Sequence, residues 1–267
     1  GGRSRHGGRG RGGIGLQPGD EDITQRMPGL DAARRMRIVA QRGAQLGDRP
    51  RQHARGDVAV APDRIEQLVA RDQFARRAMQ ELGQPAPSGR YLHVYINGVY
   101  WGLYNAVERP DASFAENYLG ANPDLWQGQN SGQPINGATN LADWNSMLSV
   151  VDDITAANTP TARDIEYLQS CGFTPDGTRS PSTPVWIDPT NFADYLLVNW
   201  YAGNSDWPFK NYCGGRAREP DSTGFKFFMW DCEWSLLLQS SPDTDRTNDF
   251  SGIAAPQNHL EKSPEYR

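Results

Sequence analysis

At 267 residues the chain is long enough to bury a substantial core, as one large domain or as two lobes. Its 37% hydrophobic content is low for a compact enzyme, so part of the chain is expected to lie outside the core. No run approaches the roughly 20 apolar residues of a membrane span, and three cysteines at these spacings fit no zinc pattern. With no start methionine and no signal peptide, the sequence reads as a fragment.

Charge falls unevenly along the chain, whose net value is -5. The first sixty residues carry twelve arginines, no lysine and six acids, so the remainder is acidic. A basic arm of this kind binds nucleic acid by neutralising phosphates. "GGRSRHGGRGRGGIG", however, offers no aromatic for base stacking and no periodic apolar face, which favours low-complexity, disordered or out-of-frame sequence. Gly8, Gly10 and Gly13 spell a dinucleotide-binding pattern by composition alone, with no strand before them.

From residue 63 the pattern changes. "DRIEQLVARDQFARRAMQELG" places Ile65, Leu68, Val69, Phe74, Ala75, Ala78, Met79 and Leu82 near helical period, between an Asp63 cap and Gly83. "YLHVYINGVYWGLYNAVE" predicts strands near 91–96 and 99–107 about an Asn97-Gly98 turn. "RPDASFAENYLG" predicts a short helix with Pro110 near its first turn and Gly120 past its end. Loops rich in Gly, Asn and Gln are expected over 127–140, and helices near 141–157 and 161–170.

A long turn-rich connection, "CGFTPDGTRSPSTP", follows. "DPTNFADYLLVNWYAG" has a strong helix start, with Asp188 as cap and Pro189 at the first helical position, and it stops at Gly203. Phe192, Tyr195, Leu196, Asn199 and Trp200 fall at core spacing within it. The polar loop "GNSDWPFKN" leaves that helix, and after a Gly-rich bend "GFKFFMWDCEWS" predicts a buried strand ending in Asp231 and Glu233.

Phosphoryl transfer needs a carboxylate to orient and deprotonate a hydroxyl, ligands for a divalent metal, and cations to neutralise phosphate. Asp206 and Asn211 have the five-residue spacing of a kinase catalytic loop, Lys210 can reach a phosphate, and Asp231 ends the next strand. If that strand continues, Glu233 shares the parity of Asp231 and faces the same cavity. Most Asp and Asn pairs so spaced merely cap helices or close turns. The order of helix, loop and aromatic strand ending in Asp adds weight to the catalytic reading without overtaking the structural one, and spacing takes the argument no further.

Three blocks, "YLHVYINGVYWGLYNAVERPDASFAENYLG", "VWIDPTNFADYLLVNWYAGNSDWPFKNY" and "FKFFMWDCEWSL", stand in order and resemble the spore-coat protein H (CotH) kinase-like family. "DFSGIAAPQNHLEKSPEYR" resembles the segment that follows them. The resemblance spans roughly residues 63–267 and implies an α+β, atypical protein-kinase-like two-lobed fold. It implies phosphorylation of protein Ser or Thr with ATP and Mg2+ or Mn2+, in spore coats or in exported and cell-surface bacterial proteins. It implies that Asp206 is the catalytic-loop aspartate and that Asn211 and Asp231 are metal ligands. Glu233 stands where the family commonly has a second aspartate. Glu108, beside an inter-lobe hinge at 107–109, is implied near the nucleotide; pairing with a neighbouring arginine is the alternative for it.

The resemblance also implies an upper lobe with strands over the phosphates and a lysine paired with them. The first lysine here is Lys210, so Arg64 or Arg71 is the candidate substitute. It implies a further helix after Arg267, so that this chain carries a partial domain. Two other functions stay open: a catalytically inactive binding or surface-display module, and, last, nucleic-acid binding through the arginine-rich arm. A protein substrate is the expected partner, with no membrane.

Overall fold

A computed structural model describes residues 62–135, 141–236 and 243–267. The arginine-rich arm, with Gly8, Gly10 and Gly13, lies outside these residues, as does the side chain of Arg64. The first helix, α1 (Pro62–Glu81), begins one residue earlier than expected, so Asp63 falls inside its first turn rather than capping it. Gly83, at φ +82°, ends the turn that follows. Ala75 and Met79 are fully buried, while Leu82 at the end of the stripe is exposed.

Strands β1 (Gly89–Ile96) and β2 (Val99–Val107) pair antiparallel about Asn97 and Gly98, whose φ angles of 51° and 79° are those of a tight primed turn. Tyr95, Val99 and Trp101 are exposed on this hairpin, which pairs with no third strand among the described residues. In α2 (Ala112–Leu119) the cap is Asp111, which accepts from the N–H groups of Ser113 and Phe114. Pro110 stands just before that cap, near the first turn as expected.

Two expectations fail together in the main sheet. Residues 127–135 are not loop: β3 (Trp126–Asn130) and β4 (Gln133–Ile135) form half of a four-stranded antiparallel sheet of order β4-β3-β5-β6. The Gly-rich bend after Asn211 is likewise a strand, β5 (Tyr212–Ala217), paired with β6 (Lys226–Met229). Its glycines make room for large rings. A Cβ on Gly215 would lie 2.0 Å from the indole of Trp126, and one on Gly214 would lie 3.0 Å from Trp144. The pattern looks strand-poor because tryptophans of other elements supply the side-chain volume that these glycines lack.

Helices α3 (Ala142–Ala156) and α4 (Pro160–Ser170) agree with expectation, the latter capped by Thr159. Helix α5 (Pro189–Ala202) runs against β6, and α6 (Pro256–Leu260) packs on α3. The core lies where these elements meet. Trp144 stands edge-on to Phe225 with ring centroids 5.2 Å apart, and Phe192 meets Phe227 at 4.7 Å. Phe192, Tyr195, Leu196 and Asn199 are all buried as their spacing predicts. Cys171, Cys213 and Cys232 form no disulfide.

Gly215→Ala should destabilise the fold by about 1–3 kcal/mol, because a buried indole must shift to admit one methyl group. Thermal unfolding checks this. An unchanged Tm would mean that Trp126 does not sit over β5 as described.

Candidate active site

The site starts from α5. The carboxylate of Asp188 accepts from Asn191 N–H at 2.9 Å, and Gly203 ends the helix in the left-handed conformation at φ +59°. The chain then enters a loop whose polar side chains face inward. Asn199 and Asn204 are both buried, and Asn204 Nδ2 donates to Asn199 Oδ1 at 3.0 Å. Asn204 Oδ1 accepts from Asp206 N–H at 3.3 Å. On the far side Trp207 is buried, and its Nε1 donates to the Tyr195 hydroxyl at 2.8 Å. Asp206 is thus held between two anchors that both lead back to α5.

Its carboxylate has two partners from the same loop. Lys210 Nζ lies 2.7 Å from Oδ1, and Asn211 Nδ2 donates to Oδ2 at 2.8 Å. Asn211 has φ +58°, a conformation that asparagine tolerates better than most residues. Its N–H donates to Ser131 Oγ at 3.1 Å, so the turn between β3 and β4 fixes where the amide points. With Nδ2 committed to Asp206, Oδ1 is the atom of Asn211 left to face a cation. Asp206 holds the Lys210 ammonium above its usual pKa, first by their hydrogen bond and then by charge, with smaller contributions from Asp231 and Glu233.

Asp231 and Glu233 do not stand on a strand. β6 ends at Met229, and Asp231 has φ +57°, so the parity expected of the two acids does not apply. They meet anyway, because the left-handed residue turns the chain and the next residues zip onto the loop after α5. Ser205 N–H and Oγ–H both donate to Trp234 O, at 2.8 and 2.9 Å. Leu236 N–H donates to Ala202 O at 2.6 Å, and Asn204 Nδ2 lies 3.6 Å from Cys232 Sγ. Burial pushes the Glu233 carboxyl up to about 7, helped by its hydrogen bond with Asp231 and by the charges of Asp231 and Asp72.

Two carboxyl groups set against each other in this way mark a place where positive charge is wanted. Among the described residues, no three His, Cys, Asp or Glu side chains gather as a metal cage. Mg2+ needs no such cage: it is commonly held by one or two carboxylates, with water and phosphate oxygens completing its shell. The hard oxygens of Asp231 and Glu233 are of the kind that fit such a cation.

Glu108 has other business. Its Oε2 accepts from Ser88 N–H at 2.8 Å and its Oε1 from the Tyr118 hydroxyl. These bonds tie the end of β2 to α2, and no arginine among the described residues pairs with it. The carboxylate edges an open polar groove shared with Arg109, Asp111 and Asn117.

Two residues of the site escape the motif. Asp72 on α1 reaches across to accept from Cys232 N–H at 3.1 Å, between the two acids. Arg76, one turn later and 1% exposed, pairs with it at 2.9 Å. The buried arginine of this helix is therefore Arg76 rather than Arg71. The available signal was an Asp and Arg pair at i,i+4 whose arginine lies beside core positions Ala75 and Met79.

Fold and site together define the class: an α+β domain whose loop after a helix carries an aspartate bound to an asparagine, opposite a pair of acids. The chain belongs to the family described as CotH kinase protein, which matches residues 63–264. A comparison with curated proteins found no match.

Asn204→Ala should cost about 1–3 kcal/mol, because it leaves the buried Oδ1 of Asn199 without its donor. Urea unfolding measures this. A loss within roughly 0.5 kcal/mol, the range of an ordinary surface change, would remove Asn204 as an anchor.

Proposed function

We propose that this domain transfers the γ-phosphoryl group of ATP to a Ser or Thr hydroxyl of a protein substrate. One observation carries the reading: Asp206, gripped by Asn211 and Lys210, sits on a loop stitched to the segment that bears Asp231 and Glu233. Family membership supports it. In this reading α1 and the β1–β2 hairpin belong to a small upper lobe, and the helices with the four-stranded sheet form the larger one.

Asp206 orients the substrate hydroxyl and takes its proton. The hydroxyl oxygen then bonds to the γ-phosphorus as the bond to the β–γ bridging oxygen breaks, and ADP leaves with that electron pair. Lys210 has its ammonium free to swing from Asp206 toward a phosphate oxygen, since its side chain is 63% exposed. Asp231, Glu233 and Asn211 would hold Mg2+ or Mn2+, which when bound neutralises phosphate charge. In the same step Asn211 Nδ2 keeps the Asp206 carboxylate aimed, so one amide serves both the base and the cation.

Asp206→Ala and Asp231→Ala should each lower transfer by about 10²–10⁴-fold or more, the range of a lost general base. Labelled ATP with magnesium or manganese and a generic protein acceptor provides the assay. Undiminished transfer in both variants would sink the assignment.

A second reading, a non-catalytic binding or surface-display module, is favoured by one feature: no lysine precedes Lys210. Calorimetric titration with ATP separates the two. A kinase gives heat that depends on added Mg2+, whereas the module gives none.

A further inference from the structure

Among the described residues the Asp72–Arg76 pair is the most deeply buried ion pair, and the transfer chemistry above makes no use of it. Its surroundings are specific. Arg76 is 1% exposed; one terminal nitrogen pairs with Asp72 Oδ2 and the other donates to Pro87 O at 3.3 Å. Room for the guanidinium comes from Gly89, where a Cβ would lie 2.5 Å from that second nitrogen. Asn105 on β2 adds a longer donation to Asp72 Oδ2, at 3.4 Å. One carboxylate oxygen is therefore saturated by α1 and β2.

The other oxygen leaves the helix. Asp72 Oδ1 accepts from the N–H of Cys232, the residue between Asp231 and Glu233. Asp231 is in the left-handed region, which an aspartate adopts only when its surroundings hold it there. A bond to the very next N–H is well placed to hold it.

We propose that Asp72 is a positioning residue: aimed by Arg76, it clamps the Cys232 N–H and thereby sets the angle at which Asp231 and Glu233 meet a divalent cation. The charge that aims the acid comes from one turn further along the same helix, so the clamp needs no lysine from an upstream strand. It also makes α1 a lever: a shift of the helix would move the acid pair without touching Asp206. The proposal rests on the reading of Asp231 and Glu233 as cation ligands.

The double variant Asp72→Leu with Arg76→Met tests it in the full chain. Both charges go together, so no buried guanidinium is left alone, and thermal unfolding verifies that the variant folds. Two readouts follow: Mn2+ affinity, measured on the metal alone by electron paramagnetic resonance, and exchange of the Cys232 amide proton by NMR.

The clamp predicts that Mn2+ binds about tenfold more weakly, the effect of one lost hydrogen bond of ordinary strength, and that Cys232 N–H exchanges faster while α5 amides do not. It also predicts that transfer, where present, loses apparent affinity for Mn2+ more than it loses kcat. Wild-type affinity for Mn2+ in the folded double variant would overturn the clamp and leave a merely structural ion pair. Tight Mn2+ binding by the wild type without any transfer would instead overturn the kinase reading and leave the clamp standing.

Discussion

Everything about this site depends on a small set of buried amides that cannot be left unpaired. Asn199 sits in the last turns of α5 with no access to water, and its side chain must find partners inside the protein. It donates to Tyr195 O and accepts from Asn204, and Asn204 in turn accepts from the Asp206 N–H. The chain leaving α5 is thereby obliged to fold inward before it can emerge. Asp206 is the residue at which it emerges, with a side chain 15% exposed: open enough to meet a substrate and too confined to wander.

The second half of the site follows from the first. Because the loop lies close under the end of β6, its backbone and hydroxyl groups find Trp234 O and its helix end finds Leu236 N–H. Those bonds bring two more carboxylates within electrostatic reach of Lys210. Acids crowd here while cations are few. The protein meets part of that imbalance by pairing Lys210 with Asp206 and Arg76 with Asp72.

Much of the fold was legible because its helices carry strong local punctuation. Asp188, Pro189 and Gly203 bracket α5 by chemistry that acts within four residues, and Asn97-Gly98 marks its hairpin for the same reason. The strands of the main sheet were not legible. "WQGQN" and "YCGGRA" lack alternating apolar residues, since Gly128 of the first makes room for Ile135 of the next strand, and Gly215 and Gly214 of the second accept the rings of Trp126 and Trp144. A pattern rule reads each segment's own side chains and cannot see volume supplied from elsewhere.

The sequence by itself determined the helices, the hairpin, and the loop in which Asp206, Lys210 and Asn211 stand at fixed spacing, because these depend on neighbours in the chain. Tertiary structure alone decided that Asn211 grips Asp206, that Asp231 and Glu233 meet through a left-handed turn, and that Asp72 reaches Cys232 across 160 positions. The reason is physical. Such contacts exist only once distant segments are packed, and it is the need to satisfy buried donors and acceptors that selects them.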